Sequence, residues 1–161
     1  QNKNLFILKL ILIFSILTLC IAYFIQYFLG HEPCNLCLIE RVPYFLAIII
    51  IPMLLVSSKF NKTFFILLIL AFIFGTVVSF YHFGIEQGFF KESLVCELNN
   101  NSNNLSKEDI LKEFEKKIIS CKDVNFKILG LSLATINTII SLILSAIVAN
   151  IFLNNEKNKS K

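Results

Sequence analysis

The residue types most able to do chemistry in this chain sit together in the stretch Pro33-Cys34-Asn35-Leu36-Cys37-Leu38-Ile39-Glu40-Arg41. Two thiols separated by two residues can close a small disulfide loop, a spacing more typical of redox-active pairs than of structural bridges. The residues that follow read as helical, which places Cys37 near a helix N-terminus. There the helix dipole and Arg41, one turn on, would both favour a thiolate. Arg41 is also the sole arginine of the chain. The competing reading is a static surface bridge, with Arg41 as an interfacial anchor that snorkels to the headgroups. Two further thiols, Cys96 and Cys121, lie in a polar segment with 24 residues between them. That gap is unlike the short knuckles of structural zinc sites, so no metal site is expected from the four cysteines. Cys20 falls inside an apolar run and is expected to be a small packing residue, since a thiol in hydrocarbon has little tendency to ionise.

These thiols must be positioned by very apolar elements. The chain has 161 residues, is 56% hydrophobic and only 16% charged, and contains 17 phenylalanines. A soluble domain of this length carries more charge. The apolar residues also come in long blocks rather than at helical or strand period, which points to membrane spans. The net charge of +4 is scattered, so no basic aromatic surface for nucleic acid can be assembled. Four apolar blocks are expected to cross the bilayer, at about residues 5–29, 42–56, 64–83 and 128–153. The first is read as a retained span, because the sequence around Gly30 makes a poor signal-peptidase site. Pro43 suits the first turn of the second span, and Pro52 is expected to kink it. Two loops, about 30–41 and 84–127, carry all the thiols except Cys20. In the longer loop, Asn99 to Asn104 reads as flexible, and a capping box at Ser106-Lys107-Glu108-Asp109 opens a short amphipathic helix to about Ile119.

Four spans put both termini on one side. That side holds Lys3, Lys9, Lys59, Lys62, Lys157, Lys159 and Lys161 against the single acid Glu156, while acids slightly outnumber bases on the other. The positive-inside rule then places the termini in the cytoplasm and both cysteine loops outside, where disulfides persist. The expected fold is an all-α membrane protein, a four-transmembrane-helix bundle in one integral domain.

With this arrangement in view, the stretch Glu32 to Tyr44 resembles the signature of the bacterial disulfide bond formation protein B (DsbB) family. The stretch Tyr81-His82-Phe83-Gly84-Ile85-Glu86-Gln87-Gly88-Phe89-Phe90 resembles the segment that ends the third span in many members. The four spans, two outward loops and the Cys96/Cys121 pair fit the same family over essentially the whole chain. The resemblance implies a quinone-linked thiol oxidase of the bacterial cytoplasmic membrane, with both cysteine loops periplasmic. Its partner would be a periplasmic thioredoxin-like dithiol oxidase of the DsbA type, and its electron acceptor ubiquinone or menaquinone.

The implied roles fall on named residues. Redox-active disulfides would join Cys34 to Cys37 and Cys96 to Cys121. Cys96 would be attacked by the reduced partner, and the released Cys121 would pair with Cys34 during transfer. Cys37 would face the quinone as a thiolate, and Arg41 would stabilise that thiolate and the charge developing on the ring. His82 is a candidate proton relay or quinone contact, with a structural polar pair as the alternative for His82 and Glu86. Glu40 is open in the same way between a functional role and simple pairing with a basic residue at headgroup level, and His31 is expected to lie on the loop surface. The chain has no tryptophan, so tryptophan contacts to a quinone found in some members do not carry over; Phe89-Phe90 is expected to fill comparable space. Two alternatives remain. One is a vitamin-K-epoxide-reductase-like thiol–quinone enzyme, although there the active pair usually comes late in the chain. The other is a non-enzymatic four-span protein that two disulfides merely brace.

Overall fold

A computed structural model describes residues 2–30, 33–56, 61–91, 127–128 and 131–159. Cys96, Cys121, His31 and the amphipathic helix expected at 106–119 lie outside the described residues. The described chain runs α1 (Asn2–Tyr27), α2 (Asn35–Ile39), α3 (Val42–Val56), α4 (Asn61–Glu86), β1 (Lys127–Ile128), β2 (Leu131–Ser132) and α5 (Leu133–Lys159). The two strands form a minimal antiparallel pair, with Lys127 opposite Ser132 and Ile128 opposite Leu131. Among the described residues the other elements are all helices, and the fold is an all-α four-span membrane bundle.

Continuous apolar sequence is what makes the helices long. In hydrocarbon every backbone N–H and C=O must be paired within its own segment, and a helix does this without a partner strand. Among the described residues, four stretches are long and apolar enough to cross a bilayer: Lys3–Tyr27, Asn35–Val56, Lys62–Glu86 and Leu133–Lys157. At about 1.5 Å per residue, 25 residues reach about 37 Å, more than the hydrocarbon thickness. The short α2 sits directly before α3, so the Cys-x-x-Cys segment is the helical head of the second span rather than a free loop. Pro43 falls in the first turn of α3, and α3 continues helical through Pro52.

Side chains sort accordingly. Phe6, Ile13, Leu17, Phe24, Leu70, Val77 and Leu142 are exposed, as they are when lipid rather than water is the solvent. The interior is built from Tyr44, Ala47 and Ile51 of α3, Leu68 and Phe72 of α4 and Val148 of α5. Cys20 does not join it; it is exposed on α1, so its thiol fills no core space. Two hydroxyls inside the spans are satisfied locally, Ser15 on Ile11 O at 2.8 Å and Thr138 on Ala134 O at 2.8 Å. Gly75 lets α3 and α4 approach closely. A methyl there would lie 2.8 Å from Pro43 Cγ.

Polar contacts mark one end of the bundle. Asn4 Nδ2 donates to Asn155 Oδ1 at 3.0 Å, and Lys62 meets Glu156 at 3.3 Å. The starts of α1 and α4 and the end of α5 therefore share that end. The cysteine pair is at the other, where α4 finishes and α5 begins.

Candidate functional site

The site is assembled by three helix termini. Cys34 is the N-cap of α2, with extended backbone (φ −70°, ψ 166°), and its Sγ accepts the Cys37 backbone N–H at 3.4 Å. A thiol here takes the place of the usual capping oxygen. One turn of helix brings Cys37 Sγ to 2.9 Å from Cys34 Sγ. Both are free thiols in this structure, Cys34 buried and Cys37 half-buried. Leu36 and Ile85 pack beside Cys34 and close the apolar side of the pair.

Helix α4 supplies the polar side. His82 is buried, and its two ring nitrogens point to opposite partners. Nε2 lies 3.7 Å from Cys34 Sγ, and Nδ1 lies 2.7 Å from Glu40 Oε1. Glu86, one turn on, brings Oε1 to 3.7 Å from His82 Nε2, while its Oε2 is buried without a hydrogen-bond partner. The end of α4 is fixed by Gly88, whose φ of +76° is the left-handed value a helix stop requires. Phe89 N–H bonds Gly84 O at 2.8 Å and Gly88 N–H bonds Ile85 O at 3.0 Å, a Schellman closure. The chain then folds back so that the Phe90 ring stacks on Tyr81 and occupies the place a Gly84 side chain would take.

Glu40 is buried, with Oε1 against His82 Nδ1. It is 8% exposed, and its second oxygen, Oε2, accepts from Asn137 Nδ2 at 3.0 Å. Asn137 comes from α5, whose N-terminus is capped by Ser132 Oγ on Thr135 N–H at 3.2 Å. The same amide donates to Ser79 Oγ at 2.7 Å and accepts from the Tyr44 hydroxyl. A continuous buried polar chain therefore runs from Cys37 through Cys34, His82 and Glu40 to Asn137, Tyr44 and Ser79. Sequence reasoning singled out Cys34, Cys37, His82, Glu40 and Glu86 but missed Asn137, Tyr44 and Ser79. The available signal was an asparagine inside the fourth apolar block, because polar residues within spans are rare and usually functional.

Electrostatics favour charge on Cys34. Its thiol is pulled from the ordinary value of 9.0 to about 4, first by the hydrogen bond from the Cys37 side chain and then by His82, against the opposing effect of burial. Reduced, the pair thus holds its thiolate on Cys34, at the N-cap, rather than on Cys37 one turn later.

Arg41 reaches across to α1. Its Nη1 donates to Gln26 Oε1 at 2.7 Å, and its guanidinium lies 5.0 Å over the Tyr23 ring. Tyr23 in turn stacks on Tyr27 and meets Phe45 edge-on. This is a lipid-facing aromatic cluster with one cation at its centre, a donor set that suits a planar, apolar ring carrying carbonyl oxygens.

The family model described as "Disulfide bond formation protein DsbB" matches residues 4–151. An uncharacterized protein of Rickettsia prowazekii (strain Madrid E), RP370, is 31% identical over 156 residues, which cover 95% of this chain and 91% of that protein. No solved structure matches the chain.

Proposed function

This chain belongs to the disulfide bond formation protein DsbB family, and from that premise we propose that it is a protein-dithiol:quinone oxidoreductase of the bacterial cytoplasmic membrane that reoxidises a periplasmic, thioredoxin-like dithiol oxidase. The observation that supports this most is the Cys34/Cys37 pair, 2.9 Å apart at the head of a membrane span and backed by a buried histidine. A bracing disulfide has no need of an imidazole beside its sulphur; an exchanging one does, because the thiolate is the reacting species.

In this reading Cys96 and Cys121 start each cycle as a disulfide. A thiolate of the reduced partner attacks Cys96, forming a mixed disulfide and releasing Cys121 as a thiolate. The partner's second thiol resolves that bond, so the partner leaves oxidised and Cys96 and Cys121 are left as a dithiol. That dithiol exchanges with the Cys34–Cys37 disulfide by way of a Cys121–Cys34 bond, which restores Cys96–Cys121 and reduces the fixed pair. Two electrons and two protons have then moved from partner to Cys34/Cys37. His82 Nε2 faces the Cys34 sulphur and can hold the proton that this thiol loses. A quinone, when bound, would supply the acceptor for two electrons and two protons. Arg41 and Cys37 would hold it, with His82 behind the pair, and Arg41 would orient a ring carbonyl by charge-assisted hydrogen bonding. Termini cytoplasmic and cysteine loops periplasmic give both pairs access to the partner.

Mixing the purified, oxidised protein with a reduced thioredoxin-like dithiol protein, without quinone, tests the exchange half. Loss of partner thiols within seconds to minutes, matched by new thiols on this chain, is expected. Disulfides inert to the dithiol over hours would leave the braced membrane protein as the better account.

A further inference from the structure

The Cys34–His82 pair is held from a distance by a residue of another span. Asn137 ties α5 to both α3 and the Glu40 corner through side-chain hydrogen bonds, and every polar atom of its amide is engaged. One Nδ2 hydrogen goes to Glu40 Oε2 and the other to Ser79 Oγ, while Oδ1 accepts from Tyr44. The orientation of the amide follows from these partners, because the flipped form would set its oxygen against the Glu40 carboxylate. With Oε2 occupied by Asn137, Glu40 presents Oε1 to His82 Nδ1 at 2.7 Å. That contact makes Nδ1 the protonated nitrogen and turns Nε2 toward Cys34 Sγ.

We propose that Asn137 is a positioning residue that sets the ionisation of Cys34, acting through Glu40 and His82 without touching either sulphur. The inference rests on the thiol-exchange reading for its purpose but not for its geometry. The groups that face Cys34 are Cys37 on α2, Glu40 behind His82, and His82 and Glu86 on α4; among the described residues α5 brings no titratable side chain to the site, only Asn137 and its hydroxyl neighbours. Glu40 is buried and its Oε2 is held by Asn137, so removing Asn137 takes away the contact that keeps the carboxylate turned to His82. His82 then loses its orientation toward Cys34, and the thiolate beside it loses that hydrogen-bond partner.

The test is the pH dependence of alkylation at Cys34 in the fully reduced protein, read by peptide mass, in wild type, Asn137→Asp and Asn137→Leu. Asn137→Asp keeps the side-chain shape and serves if the leucine variant does not fold. Each substitution is expected to raise the midpoint by about one pH unit, so that well below the wild-type midpoint Cys34 reacts about tenfold more slowly. In a Glu40→Gln background the same substitutions are expected to add no further shift, because the coupling route is already cut. An unchanged midpoint in both variants would overturn the proposal. So would a shift of equal size in the Glu40→Gln background, which would mean that Asn137 acts only through general packing. Neither partner nor quinone is present, so a failed oxidase reading would show itself in the exchange experiment and leave this one unaffected.

Discussion

A sulphur whose proton is removed cheaply is the unit on which everything else depends. Cys34 gains a thiol hydrogen bond, a backbone N–H and an imidazole at one point. Its folded value of about 4 lies below the ordinary 9.0. The sign follows directly: this contribution to the folded, reduced protein is complete above pH 9, declines between the two values and is gone below about 4. Alkylation of Cys34 should therefore stay near its thiolate plateau from pH 8 to about 5 and fall only as pH passes about 4, whereas a midpoint near 9 would contradict the geometry. A stabilised thiolate also favours the reduced form of the pair, which makes its disulfide the more oxidising. Substituting His82 by Gln should shift the midpoint upward by at least about one unit, observed by the same alkylation profile. At this scale the sequence was legible where residue type and spacing are enough. The Cys-x-x-Cys pair could be read directly, and His82 could be flagged as an odd residue at a span end. That Arg41 would turn to Gln26 and Tyr23, or that Glu40 would be buried against Asn137, could not be read. Those facts depend on which faces of three distant segments meet.

The elements are held by close approach and by stops. Helices α3 and α4 meet where Gly75 lies against Pro43, with no room for a methyl. Gly75→Ala is expected to cost about 1–3 kcal/mol by overpacking, seen as a lowered unfolding temperature in detergent. No change there would mean that the two helices have slack at this crossing. Gly84 and Gly88 serve different needs, one as the seat of the Phe90 ring and the other as the left-handed residue of the helix stop. Helix existence was clear from the apolar blocks, since nothing but helix can satisfy so long a backbone in lipid. Helix after Cys37 was readable, but a separate five-residue head that starts at Asn35 was not, because so short a segment carries no periodic signal. The short strand pair before α5 was equally invisible, as two residues each make too little pattern.

As a whole molecule, the bundle separates two polar ends by apolar spans, with the dithiol at one end and the Asn4, Lys62, Asn155 and Glu156 contacts at the other. Single cysteines placed at Asn154 or Lys62 in a cysteine-free background should react with a membrane-impermeant maleimide only after the inner membrane is opened, while one placed at Cys34's end should react in intact spheroplasts. The reverse pattern would invert the orientation. The central claim, electron flow from a protein dithiol to a membrane quinone, is tested most directly by following quinone absorbance and partner thiols together. The purified protein would be supplied with a short-chain quinone and a reduced thioredoxin-like dithiol protein, with Cys37→Ser alongside. The expected result is one quinone reduced for each partner disulfide formed, with the activity abolished in the variant. Partner oxidation without any quinone reduction, or quinone reduction that survives in Cys37→Ser, would contradict it.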